Sequence, residues 1–250
     1  MSSKGGLQGL DIGEETISNA VKSVIASQLD TFDTLEVAVH TDPLKLTQGQ
    51  IDSLFFEGKG LVVKNDLRTA SFVLETQSVD ISMMKMMMGE IALDEPATAT
   101  TEIQLSPVDI EAAFNGDYVK AKLRGTKATL SSGEQVTTDP SNLKFSIPEA
   151  GRISVEADVM VMETVETHHV QFSASPQLIE DGQGISLEDI RYDTETNDMP
   201  ALTRSLVETT QELLDFRSFD LGEMTLQFTY LDVQPDQMTF KAIATIESFG

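Results

Sequence analysis

His168 and His169 stand side by side, two of only three histidines in the chain, which makes them the first place to look for metal binding or proton transfer. They fall in THHVQFSASPQLIED (167–181), a segment whose apolar residues recur as in a strand. Successive side chains of a strand point to opposite faces, so this pair cannot chelate one ion without a bulge. Other patterns offer no more to catalysis. No GxSxG elbow, phosphate-cradling glycine loop or HExxH occurs. The absence of cysteine removes thiolate nucleophiles, thiolate metal sites and disulfides together. The stretch from Ile179 to Asp198 is strongly acidic but lacks the alternating spacing of a calcium loop, and it reads as a solvated edge. The sequence therefore predicts no enzyme, no metal and no cofactor.

Two other groupings point toward binding. Met83, Met84, Met86, Met87 and Met88 are broken only by Lys85. Flexible, polarisable thioethers suit surfaces that conform to changing apolar shapes. One helical turn cannot hide five of them on one face, so the segment reads either as a cap on the core or as a lip that contacts lipid at a membrane-facing entrance. The second grouping is Lys120, Lys122 and Arg124 in VKAKLRGTKATLS (119–131), read here as a strand. The i, i+2, i+4 spacing would put all three cations on one face, either paired with acids on neighbouring strands or turned to a lipid phosphate.

Charge narrows the partners. Seventeen basic against 41 acidic residues leave a formal net charge of −24 over 250 residues, which repels polyphosphate, so no nucleic-acid partner is expected. No run reaches the roughly 18–20 apolar residues of a membrane span, and the N-terminus shows no signal-peptide pattern. The simplest expectation is a cytoplasmic protein, at most peripheral to a membrane, with transient membrane contact.

The elements that must position these residues follow from periodicity. Residues 1–10 read as a leader and 11–250 as a single domain. Asp11 and Glu14 have capping-box spacing, which predicts a helix starting after Asp11, with Ile17, Val21 and Val24 on its apolar side. Ser106 as N-cap and Pro107 at the first position predict a short helix ending at Asn115–Gly116. A third helix, from about Pro200, carries Leu206 and Leu213 on one side. Strand-like segments fill most of the rest, at 35–41, 51–63, 66–82, 99–105, 142–147, 152–163, 167–181, 184–193 and the C-terminal pair. Turn signals separate them at Asn65–Asp66, Ser132–Gly133, Asp139–Pro140, Glu149–Gly151, Asp181–Gly184 and Pro235–Asp236. Long strands in succession without helices between them predict an antiparallel meander in an α+β fold.

Three passages carry a family resemblance: GLDIGEETISNAVKSVIASQLD, TDPLKLTQGQIDSLFFEGKGLVVKNDLRTASFVLETQSVDIS and LSPVDIEAAFN. Together they resemble the LmeA-like family of bacterial phospholipid-binding proteins over roughly residues 10–250. The resemblance implies a fold similar to the tubular lipid-binding superfamily (TULIP-like), in which a strongly curved antiparallel sheet wraps around long amphipathic helices and encloses an apolar groove. It also implies phospholipid or another acyl lipid as the partner. On this reading the chain is a non-enzymatic lipid-binding or lipid-transfer protein. The alternative is a non-catalytic interaction protein that regulates a membrane-associated enzyme. The candidate lipid contacts, chosen from the residues alone, are Ile17, Val21, Val24, Phe55, Phe72, Met83, Met84, Met87, Leu206 and Leu213. Lys120, Lys122 and Arg124 are the candidate headgroup contacts.

Overall fold

Alternation of apolar and polar residues builds most of this molecule. In a computed structural model, residues 8–63, 67–82, 84–85, 92–192, 200–215, 217 and 224–247 are described. Six strands, β1 (Thr34–His40), β3 (Ser53–Val63), β4 (Leu67–Thr76), β6 (Ala97–Leu105), β12 (Met224–Gln234) and β13 (Gln237–Ile246), form one antiparallel sheet in the order β1-β3-β4-β6-β13-β12. Five more, β7 (Thr126–Thr129), β8 (Gln135–Glu149), β9 (Arg152–Val161), β10 (Glu166–Leu178) and β11 (Ile185–Tyr192), form a second in the order β11-β10-β9-β8-β7. The two-residue strands β2 (Gln50–Ile51) and β5 (Val79–Asp80) pair separately. The fold is α+β as expected, but its strands divide between two sheets instead of forming one. Register shifts in β8, β10 and β12 mark bulges, which add local twist and bend to strands that would otherwise run flat.

The helices are α1 (Gln8–Ser27), α2 (Pro43–Leu46), α3 (Pro107–Asn115), α4 (Asp117–Leu123) and α5 (Pro200–Leu213). Among the described residues, α1 and α5 are the two helices of greatest length, at 20 and 14 residues. Helix α1 begins at Gln8, inside the stretch read as a leader, and Glu14 is not a capping residue. Its carboxylate accepts the Thr41 amide at 2.8 Å, and Ser18 Oγ accepts the Val39 amide at 3.0 Å. Val39 lies on β1 and Thr41 directly follows it, so the helix covers an edge that would otherwise invite pairing with another chain. Ile17, Val21 and Ile25 pack onto a core of Leu35, Val39, Leu54, Phe56 and Leu74.

A second, larger core joins the two sheets. Strand β9 alternates without a break, burying Ile153, Val155, Ala157, Val159 and Val161. These residues cluster with Phe172 of β10, with Val233, Met238 and Phe240 of the first sheet, and with Leu202 and Leu206 of α5. Helix α5 also buries Thr209 and Thr210, whose hydroxyls donate to the carbonyls of Ser205 (2.9 Å) and Leu206 (2.7 Å). Bonding back one turn satisfies them inside an apolar environment.

Two further sequence expectations fail locally. Residues 117–123 form helix α4, not a strand, so the cations of the 120–124 stretch do not share one face; on a helix Lys120 and Arg124 lie together and Lys122 lies across from them. Asp139–Pro140 is not a turn. Pro140 sits inside β8 opposite Val159, just beyond the last pairing of β8 with β7 at Thr138, where a strand edge tolerates a missing N–H. Asn142, at a φ of 51°, lies in the bulge that follows. The Asn65–Asp66 turn lies outside the described residues, although β3 and β4 on either side of it pair antiparallel.

Candidate functional site

The notable concavity is an apolar groove between α3, the end of α5 and the two sheets. Its deeper compartment, about 210 Å³, is walled by Ile110 and Phe114 of α3 and by Ile103, Leu105, Phe228, Met238 and Phe240 of the first sheet. The second sheet adds Phe145, Ile153, Val155, Pro176 and Ile185, and the end of α5 adds Thr210 and Leu214. Among the described residues, Thr210 supplies its single polar side chain, and that hydroxyl is turned to its own helix. A shallower compartment of about 280 Å³ adjoins it and shares Leu105, Ile110, Phe114 and Leu214. Either alone is smaller than the roughly 300–1,000 Å³ of typical ligand pockets, but side by side they reach that range.

The shallower compartment ends in polar groups. Leu67, Arg68 and Thr69 of β4 form one wall, and Asp109, Ala113 and Tyr118 from α3 and α4 form the other. Helix α3 begins as its sequence predicts. Ser106 Oγ accepts the Asp109 amide (3.2 Å) and donates to Asp109 Oδ2 (2.6 Å). That cap fixes the buried Asp109 carboxylate, whose Oδ1 accepts from Arg68 Nη1 at 2.9 Å. Arg68 Nη2 also donates to Asp33 Oδ2 at 3.2 Å. Asp109 first, and Asp33 to a lesser degree, hold the guanidinium above its ordinary pKa, so the cation is permanent. Lys122 lies 5.4 Å from the centroid of the Tyr118 ring, placing a second cation beside the same wall.

The candidate residues read from sequence scatter relative to this groove. Leu213 lines it, and Leu206 is buried in the core around it. Ile17, Val21 and Phe72 pack on the other core, Phe72 edge-on to Phe56 with ring centroids 5.6 Å apart. Phe55 neighbours the buried Phe56 on β3 and faces the opposite side, half-buried. Val24 and Met84 are exposed, at 40% and 69%. Met83 and Met87 lie outside the described residues. Lys120 and Arg124 line a separate surface cleft with Asp117 and Asp139, where Arg124 pairs with Asp139 at 3.4 Å. Arg68 and the aromatic walls Phe114, Phe145, Phe228 and Phe240 form the part of the site that sequence reasoning missed.

The histidines behave as a strand pair. His169 Nδ1 lies 3.1 Å from Asp158 Oδ1, while His168 points to the other side of β10, 3.9 Å from Glu166. Asn142 Nδ2 donates to Asp158 at 2.9 Å, and this bond, followed by the one to His169, holds the Asp158 carboxyl below its usual range. A carboxyl depressed in the folded state contributes stability above the ordinary carboxylate pKa of about 4, and that contribution is lost as pH falls below it. Asp158→Asn is therefore expected to flatten part of the acid limb of a stability–pH profile while leaving the profile above about pH 6 parallel to wild type. Urea midpoints measured from pH 2 to 7 check this.

An apolar groove with charge confined to one end is a binding architecture for a molecule that is apolar along its length and polar at one terminus. The chain belongs to the LmeA-like phospholipid-binding family, whose family model matches residues 9–243. No curated protein and no solved structure matches it. No helix among the described residues is long and apolar enough to cross a membrane.

Proposed function

We propose that this chain binds phospholipid without catalysing a reaction on it, holding an acyl chain in the groove between α3, the end of α5 and the two sheets. In this reading it belongs with the tubular lipid-binding-like proteins, and it loads or releases lipid during transient contact with a membrane surface. The observation that carries the reading is the groove's lining: a deeper compartment with a single, internally satisfied hydroxyl, continuing into a shallower one that is polar only toward its end. Burial of about ten methylenes at roughly 0.8 kcal/mol each would supply about 8 kcal/mol before ordering costs. Useful affinity follows from the chain alone.

The direct test is solvent extraction of the purified protein followed by lipid mass spectrometry, with phospholipid expected near one molecule per chain. Ala113, half-buried on the groove wall, offers a way to block the site. Ala113→Trp is expected to reduce phospholipid recovery about tenfold or more while leaving the circular dichroism spectrum unchanged. Equal recovery from a folded variant would place the lipid elsewhere.

A further inference from the structure

Among the described residues that line the groove, Arg68 is the one cation. Its two carboxylate partners are unlike each other. Asp109 is buried, with one oxygen held by Ser106 and the other by Arg68, so it is a fixed part of the wall. Asp33 is exposed, with 69% of its side chain open to solvent, and it meets Arg68 from outside the groove lining. The backbone is shaped to bring it there. The Asp33 amide donates to the Lys59 carbonyl at 2.9 Å, and the next residue, Gly60, has a φ of 60° and no register partner on β4. A side-chain carbon on Gly60 would overlap the Asp33 carboxylate and crowd the Arg68 guanidinium. A guanidinium presents five donors in a planar fork matched to carboxylate and phosphate oxygens, and these two ion pairs engage two of them.

We propose that Arg68 is the phosphate-recognition residue of the groove: it binds the phosphate of a lipid whose acyl chain fills the adjoining compartments, and Asp33 is the internal anion that occupies the guanidinium until that phosphate displaces it. The inference rests on the acyl-chain reading of the groove. Asp109 orients the guanidinium, because it keeps its bond to Nη1 whichever anion sits on the outer side. The net charge of −24 repels anions at long range, so a phosphate needs more than this one cation to stay bound. A phosphate is retained here only when an acyl chain anchors it, so a phospholipid is held and free phosphate is not.

Two fluorescent lipids with the same chains, a phosphatidic acid and a diacylglycerol, separate headgroup from chain recognition when titrated against the full chain. Arg68→Gln is expected to weaken phosphatidic acid binding about tenfold or more and to leave diacylglycerol binding unchanged. Asp33→Asn removes the competing charge at an exposed position and is expected to strengthen phosphatidic acid binding severalfold, again with diacylglycerol unaffected. Should Arg68→Gln fail to fold, the Asp33→Asn arm decides alone. An unchanged preference between the two lipids in a folded Arg68→Gln, or no gain in Asp33→Asn, overturns the assignment while leaving the groove intact. Displacement of phosphatidic acid by equimolar inorganic phosphate would assign the site to free phosphate and overturn it as well. Failure of the wild-type chain to bind either lipid overturns the groove reading, and this inference with it.

Discussion

Gly182→Ala is expected to cost about 2 kcal/mol or more of folding stability, a large effect for one methyl group. Gly182 turns the chain between β10 and β11 at a φ of 66°, in the left-handed region that side chains rarely adopt. Its surroundings leave no room either. A methyl there would overlap the Phe228 carbonyl oxygen, which belongs to backbone and cannot swing aside. The Phe228 amide donates to the Gly182 carbonyl at 2.8 Å, so this turn ties the second sheet to β12 of the first. Nearby, the Ile185 amide donates to Leu214 at 3.0 Å, joining the end of α5 to the same corner. Phe228, Ile185 and Leu214 all line the deeper groove, so a shift here reaches the binding site too. Urea denaturation measures the loss, and a change within about 0.5 kcal/mol, usual for a substitution away from any strained or packed feature, would show that the turn can relax.

Elements defined by their own residues were legible before the structure. Strand β9 alternates cleanly, the Ser106–Pro107–Asp109 start of α3 fits the observed cap, and the turns at Gly133 and Gly151 sit where positive φ is needed. The 119–131 region misled because its lysines alternate, and alternation over a short window also fits one and a half turns of helix. The better signal was the i, i+4 pair Val119 and Leu123, with Asp117 in the first turn and basic residues in the last. Leu123 is in fact 1% exposed. Pro140 misled for a related reason: proline punctuates strands that have a partner on each edge, whereas this one has lost its outer neighbour.

The groove could not be read this way. Its walls come from α3, α5 and strands of both sheets, and no periodicity links Phe114 to Phe228 or Phe145 to Met238. Arg68 and Asp109 are 41 positions apart, and nothing local marks either as a partner of the other. Choosing among the large apolar residues of the strands required knowing which sheet faced which. Phe72 packs in the core under α1 and Phe55 lies on the opposite face of β3 from Phe56, whereas the groove lies under α3.

The larger core itself permits a matched comparison. Phe145→Ala and Phe172→Ala each delete a buried phenyl ring from the larger core, and each is expected to cost about 3–5 kcal/mol in the lipid-free protein. At roughly 2–4 °C per kcal/mol for a chain of this size, that lowers the melting temperature by about 6–20 °C. The rings differ in what stands beside them. Phe145 borders the groove and stacks on Phe114 at 6.5 Å, so its removal enlarges a space that an acyl chain can enter. Phe172 is 0% exposed and lines neither compartment, so the space its removal leaves is not part of the groove. A ligand that binds only the folded state adds about 2.7 kcal/mol of stability at a hundredfold excess over its dissociation constant. Phospholipid supplied in short-chain micelles should therefore restore a larger part of the melting temperature in Phe145→Ala than in Phe172→Ala, because only there does the lipid also replace lost packing. Equal recovery in the two variants would mean that the acyl chain does not lie against Phe145, and the deeper compartment would have to be given up as its site.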